Sequence, residues 1–185
     1  MANPIDVARL VGHAFGDGSI HYKKRYFIYT NSNETLHRRV RAMIRRVFGN
    51  VKYNINTSIG GTPRYQYSNA CGKFLSERGA PVGAKIRQPT RVPKWITSGK
   101  EGVRVAFTSA LFDDEGGFRD SRKAMQIVFK SAKVVELRDE LVLYLSQVRK
   151  ILQTLGIRTS EIRPDQEKTK KDGTKIVSLR FWITG

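Results

Sequence analysis

Leu10-Val11-Gly12-His13-Ala14-Phe15-Gly16-Asp17-Gly18 is the stretch on which the reading of this chain turns. It is a short run of small and apolar residues that stops on an acid followed by glycine. Gly12 and Gly16 lie four positions apart, so they share one face of a helix. Glycine weakens a helix interior. Two glycines in so short a helix therefore call for close approach of another backbone. A related stretch returns later as Thr108-Ser109-Ala110-Leu111-Phe112-Asp113-Asp114-Glu115-Gly116. Asp17 and Glu115 are 98 positions apart, as are Gly18 and Gly116. The two helix ends are expected to form the core of the fold and its reaction centre together.

The surroundings repeat as well. In the first half the pattern predicts a helix over 6–16 with Asp6 as N-cap, strands over 20–22 and 26–30, and a helix over 34–48. That helix carries Leu36, Val40, Met43, Ile44 and Val47 on one face and Arg38, Arg39, Arg41, Arg45 and Arg46 on the other. Strands over 51–56 and 64–68 and a short helix over 70–78 follow. Pro81, Pro89 and Pro93 mark a connector. The second half gives a helix over 101–114 and a strand pair whose second member is 124–130. Ser131 is read as a cap for a helix over 132–155. Strands over 157–163 and 175–183 follow, separated by a charged turn over 164–173. Each half thus reads α-β-β-α-β-β, an α+β fold duplicated with pseudo-two-fold symmetry. The expected divisions are 1–80, a connector over 81–100, and 101–185.

Composition narrows the function. Of 185 residues, 34 are Lys or Arg and 16 are Asp or Glu, a net charge of +18. A folded chain this basic most often meets a polyanion. Residues 1–97 hold 17 basic and 4 acidic side chains, so the first half should dominate phosphate attraction. Two-fold symmetry suits duplex DNA, itself nearly two-fold symmetric. No apolar run approaches bilayer length and no basic start precedes an apolar core, so a cytoplasmic protein without a membrane partner is expected. The single cysteine, Cys71, excludes an intramolecular disulfide. Gly60-Gly61 lacks the rest of any phosphate loop.

A carboxylate at a helix C-terminus faces free carbonyls and the negative end of the helix dipole. Two such ends side by side make an oxygen-rich pocket for a hard cation such as magnesium. Asp17 and Glu115 brought together would make a phosphodiester hydrolysis site.

On these residues the chain resembles the single-chain, two-motif LAGLIDADG homing endonucleases. Leu10, Gly12, Asp17 and Gly18 match the first motif, and Leu111, Asp113, Glu115 and Gly116 carry the second copy. Pro93-Lys94-Trp95-Ile96 is similar to the family's connector. The resemblance implies two motif helices at a central interface and two four-stranded antiparallel sheets forming a saddle over the DNA major groove. It implies magnesium held by Asp17 and Glu115, with the backbone carbonyls of Gly16 and Asp114 as further metal ligands. It also implies a monomer that needs no protein partner and cuts a long double-stranded DNA site in intron or intein homing. Lys130 matches a family lysine beside the scissile phosphates, while the position 98 earlier is Ser32; either the first half is catalytically weaker or another residue such as Lys24 or Arg64 serves there. His13 and Phe15 depart from the motif, and Asp114 stands where the family prefers a small residue. Many relatives carry a terminal helix that is expected to be missing after the last strand here. An RNA-binding intron maturase and a catalytically inactive DNA-binding regulator are the alternatives on the same fold.

Strand alternation assigns the DNA-reading face. With Val51, Tyr53, Ile55, Tyr65 and Tyr67 inward, Lys52, Asn54, Asn56, Arg64, Gln66 and Ser68 point out. With Met125, Ile127, Phe129, Val177, Leu179 and Phe181 inward, Gln126, Val128, Lys130, Ser178, Arg180 and Trp182 point out, and Arg163 joins them. Arg, Gln and Asn are the side chains that read base edges in the major groove.

Overall fold

The computed structural model describes residues 2–121 and 124–184. Its helices are α1 (Pro4–Phe15), α2 (Glu34–Phe48), α3 (Asn69–Glu77), α4 (Lys94–Thr97), α5 (Glu101–Glu115) and α6 (Arg138–Thr154). The strands are β1 (Gly18–Ile20), β2 (Phe27–Thr30), β3 (Tyr53–Thr57), β4 (Pro63–Tyr67), β5 (Gly116–Ser121), β6 (Ala124–Val134), β7 (Arg163–Thr169) and β8 (Lys175–Trp182). They form two four-stranded antiparallel sheets of matching order, β1-β2-β4-β3 and β5-β6-β8-β7. This is the expected α+β architecture, with the α-β-β-α-β-β order present twice. Among the described residues no helix is long and apolar enough to cross a membrane.

The chain forms two compact units. Met1–Gly83 packs with Pro93–Asp114, and Ala84–Val92 packs with Glu115–Gly185. The connector over 81–100 is therefore shared between the units, and nearly all of α5 belongs with the first half.

In the first unit α1 is buried almost all round, through Val7, Ala8, Leu10, Val11, Ala14 and Phe15. Asn3, not Asp6, is its N-cap: the Asn3 side chain accepts from the Ile5 N–H at 3.0 Å, with Pro4 opening the helix. Asp6 instead receives a two-pronged contact from Arg46 on α2, at 2.8 and 2.9 Å. Helix α5 lies against α1. A Cβ on Gly12 would sit 2.5 Å from the Phe107 carbonyl oxygen and 2.9 Å from the Ala110 Cβ. Phe15 meets Phe107 edge to face. Gly12 thus has the reason the spacing predicts, whereas Gly16 is the C-cap and makes room for the Asp114 side chain, not for a backbone; the two motif helices pack on each other within one unit. Helix α2 buries Leu36, His37, Val40, Met43 and Ile44, and His37 meets Tyr29 and Tyr65 of the first sheet. Tyr65 and Tyr67 are buried as expected, but Ile55 is 59% exposed. It lies on edge strand β3, which pairs only with β4.

In the second unit Val177, Leu179, Phe181 and Phe129 are buried, together with Leu141, Tyr144, Leu145, Val148, Ile151 and Leu152 of α6. Ile127 is 37% exposed rather than buried, and the Met125 expectation lies outside the described side chains. Three boundaries differ from the pattern. Ser131 is not a cap, because β6 continues to Val134 and pairs with β8 through Val134↔Ile176. A short 3-10 turn, Val135–Leu137, precedes α6 at Arg138. Strand β7 occupies Arg163–Thr169, not 157–163, so most of the supposed charged turn is a strand. Its residues are mostly exposed, so no apolar alternation marks it.

The segment 84–92 is strapped to this unit by polar contacts. Arg87 donates to Thr174 Oγ1 at 3.0 Å, Arg91 pairs with Glu140, and the Val92 N–H donates to Gln147 Oε1 at 2.9 Å. Lys133, which the sequence placed on a helix, lies in β6 and is 3% exposed. Its ammonium donates to the Gln88 carbonyl at 2.8 Å, to the Lys85 carbonyl and to Thr90 Oγ1.

Candidate functional site

Helix α1 ends at Phe15, with Gly16 as C-cap. Asp17 follows and leads straight into β1, so the acid sits at the junction of helix and sheet. Its Oδ2 accepts from Asn31 Nδ2 at 2.6 Å. Asn31 is itself pinned twice. Its Oδ1 accepts from the Asn33 N–H at 2.7 Å, and its backbone carbonyl accepts from the buried His37 Nε2 at 2.7 Å. A neutral amide orients Asp17 through this contact without neutralising it.

Asp114 is the other centre of the unit. Its carboxylate has no exposed side-chain surface. Oδ1 accepts from the Tyr29 hydroxyl at 2.5 Å. Oδ2 accepts from His13 Nδ1 at 3.0 Å and from the Asp17 backbone N–H at 3.1 Å. Gly16 leaves the space for this side chain, since a Cβ there would sit 2.5 Å from both Cβ and Oδ2 of Asp114. Burial, then the charge and hydrogen bond of Asp114, push the Tyr29 phenol far up, with Asp17 and Asp113 adding to the same effect. Tyr29 is thus held as a hydrogen-bond donor. His13, 1% exposed, meets Tyr29 edge to face, and the aromatic run continues through His37 and Tyr65 to Tyr53.

In the second unit Glu115 closes α5 and Gly116 opens β5. Gly116 pairs with Phe129, so Glu115 and Lys130 flank the first rung of that ladder. In the first unit Gly18 pairs with Tyr29, and Thr30 donates its N–H to the Asp17 carbonyl at 3.4 Å. By strand register the counterpart of Lys130 is therefore Thr30, not Ser32. The intervening hairpin is two residues longer in the second half, and the 98-residue offset slips there. Burial, then the charge of Glu115, push the Tyr144 phenol up.

The remaining predicted residues divide by environment. Lys24, Lys52, Asn54, Asn56, Lys130 and Arg163 are exposed, and Arg64, Gln66, Ser68, Gln126, Val128 and Ser178 are half-buried. Arg64 and Gln66 lie on the face of β4 opposite Tyr65 and Tyr67 and pair in register with Asn56 and Asn54. Arg180 is engaged with Asp165 at 2.5 Å. The guanidinium groups of Arg163 and Arg180 lie 5.9 and 5.0 Å from the Trp182 ring centre. That contact gives the outward tryptophan a packing reason. Tyr29, Asn31 and Lys133 were missed by the pattern. Asp114 had one visible signal, an acid at a small-residue position across from Gly16.

Among the described residues no group of three or more His, Cys, Asp or Glu side chains is placed to hold a metal ion. The donors nevertheless suit magnesium in kind. Asp17, Asp113 and Asp114 concentrate negative charge around Tyr29, where helix carbonyls also end. Magnesium takes one or two carboxylates and completes its shell with water and phosphate oxygens.

No known family profile matches the chain. It is 27% identical to the tRNA-splicing ligase RtcB of Pyrococcus abyssi over 188 residues, covering 94% of this chain and 20% of the ligase. It is 24% identical to the ribonucleoside-diphosphate reductase NrdEB subunit alpha of Bacillus subtilis over 196 residues, covering 95% of this chain and 17% of that subunit. The chain thus spans a fifth or less of these relatives. Among solved structures, I-DmoI in complex with DNA and Ca superposes with a TM-score of 0.60 at 16% identity, covering 98% of this chain and 83% of that one. I-DmoI is a homing endonuclease. Full-length DUF199/WhiA from Thermotoga maritima superposes with a TM-score of 0.54 at 14% identity, covering 97% of this chain and 52% of that one. The N-terminal domain of DUF199/WhiA is a LAGLIDADG domain. The protein therefore has the fold that I-DmoI shares with the LAGLIDADG domain of WhiA.

Proposed function

We propose that this protein is a magnesium-dependent, site-specific double-strand DNA endonuclease of the homing type. One observation carries the reading above the rest. Two helices pack on each other with Gly12 of α1 against Phe107 and Ala110 of α5, and each leads to an acid followed by glycine, in a chain of net charge +18. Asp17 and Glu115 would hold the metal, with the carbonyls of Gly16 and Asp114 beside them. When bound, the metal lowers the pKa of an attacking water and stabilises the leaving oxygen. Asn31 orients the Asp17 carboxylate. Lys130, exposed next to the rung that Glu115 leads into, meets the negative charge that develops on the phosphate. Asn54, Asn56, Arg64 and Gln66, one surface of the first sheet, read base edges, with Lys24, Lys52 and Ser68 around them. Gln126, Val128, Ser178, Arg180, Trp182 and Arg163 form the corresponding surface of the second sheet, and the protein acts as a monomer.

The comparisons support a mobile module. The same stretch matches a fifth or less of a ligase and of a reductase, two proteins whose names share no chemistry. A segment common to both is expected to be an insert, and the target is the uninterrupted host sequence. The test is incubation with plasmids bearing candidate host sequences joined without their insert, with magnesium and with EDTA. Magnesium-dependent cutting at one position supports the reading. Tight RNA binding without cutting favours an intron maturase, and DNA binding without cutting favours a regulator.

A further inference from the structure

Asp114 is an anomaly. It places a buried carboxylate next to an acid that already carries negative charge, at a position flanked by Gly16 and Asp17. Such a group survives burial only when its oxygens are filled with donors. Here three donors converge: a hydroxyl from β2, an imidazole from α1 and the backbone N–H of Asp17. Two come from elements that lead directly into Asp17 or pair beside it, since Gly18 is the β2 partner of Tyr29. Asp114 is also the residue before Glu115 in the chain.

We infer that Asp114 is a positioning residue that holds the Asp17 backbone where α1 ends, so that the Asp17 carboxylate is set toward a hard divalent cation. The inference rests on the nuclease reading for what the cation does, but not for its geometry. The Asp114 carboxylate is filled by its three donors and acts on the cation through Asp17, not by contact. Tyr29 and His13 fix the carboxylate rotamer. Gly16 is required so that the carboxylate can reach the Asp17 N–H. Groups that orient metal ligands in this way typically change affinity or activity by about 10- to 100-fold when altered.

The experiment compares the full chain with Asp114→Asn and Tyr29→Phe, in two arms. In the first, Mn2+ or Ca2+ is titrated into protein without DNA and binding is read by calorimetry. In the second, single-turnover cleavage is followed against magnesium concentration. Both variants are expected to raise the metal concentration at half-saturation by about 10-fold or more, with excess metal restoring much of the cleavage rate. Affinity for DNA in Ca2+ should stay within a few-fold. Unchanged metal midpoints, with activity falling only as the folded fraction falls, overturn the inference. If Asp114→Asn does not fold, Tyr29→Phe decides alone, because it keeps the carboxylate and removes one donor. If the wild-type chain binds metal and the variants bind it more weakly while no DNA is cut, the nuclease reading fails and this inference stands. If the wild type cuts DNA and the variants keep its metal midpoint, this inference fails and the nuclease reading stands.

Discussion

The Gly12 Cα lies so close to Phe107 that an added Cβ would meet its carbonyl oxygen at 2.5 Å. Backbone cannot give way as a flexible side chain can, so Gly12→Ala must push α1 and α5 apart or distort one of them. Overpacking of this kind costs about 1–3 kcal/mol. Gly60→Ala is the control, because nothing lies within 4 Å of its Cβ position and its backbone carries no left-handed conformation. In urea, Gly12→Ala should lower the unfolding midpoint and Gly60→Ala should leave it within error. Equal midpoints for the two would refute the helix contact.

Asn31 is held by its own neighbours and holds Asp17 in turn. Asn31→Ala removes the amide that orients the carboxylate but leaves the carbonyl that receives His37. Stability should change little, while single-turnover cleavage falls by about 10- to 100-fold. Asp17→Asn should abolish cleavage. An Asn31→Ala protein that cuts at the wild-type rate would remove Asn31 from the site.

How much of this was legible in the residues depends on what encodes it. The helix over Glu34–Phe48 shows in the sequence because its apolar face repeats at the helical period and Asn33 caps it. The Gly12 contact is legible because glycine in a short helix has few other uses. Strand β7 is invisible because an exposed edge strand of charged residues carries no apolar alternation and is held by its backbone pairing and by polar contacts such as Asp165 with Arg180. Lys133 reads as a helix residue because the carbonyls that receive its ammonium lie some 45 residues away. Counting 98 residues finds the two acids but misplaces the partner of Lys130, because hairpin length differs between the halves and register, not offset, sets which residues face each other.

The two sheets differ in how ready their arginines are for DNA. Arg180 is tied to Asp165 and stacked on Trp182, whereas Arg64 lies across from Asn56 on the face of β4 away from Tyr65. Arg64→Ala should therefore weaken binding more than Arg180→Ala. If Arg64 reads a base, the loss is about 1–3 kcal/mol and falls on one target position; if it meets a phosphate, the loss is even across sequences and the salt slope drops by about 1. Titrations of labelled target DNA at several salt concentrations separate these outcomes. A larger loss for Arg180→Ala would reverse the ranking.

Lys133 gives the fold a pH dependence of its own. Burial, with Lys85 adding repulsion and Glu140 opposing it, lowers its pKa to about 8. The unfolded chain keeps its lysine protonated to about 10.4. Between these values the unfolded state binds the extra proton, so stability must rise with pH from about 8 upward and level off near 10.4. The full gap corresponds to an upper bound of about 3 kcal/mol. Below pH 8 both states hold the proton and this contribution is flat. Lys133→Met removes the titration and leaves the Gln88 and Lys85 carbonyls without their donor, so it should be less stable at pH 7.5 by about 1–3 kcal/mol. The other lysines and the tyrosines titrate alike in both proteins and cancel in the difference. Urea midpoints of the pair at pH 7.5, 8.5 and 9.5 should therefore diverge, with the wild type gaining on the variant at each step. Parallel lines would mean that the three acceptors around the ammonium hold its proton as firmly as water does.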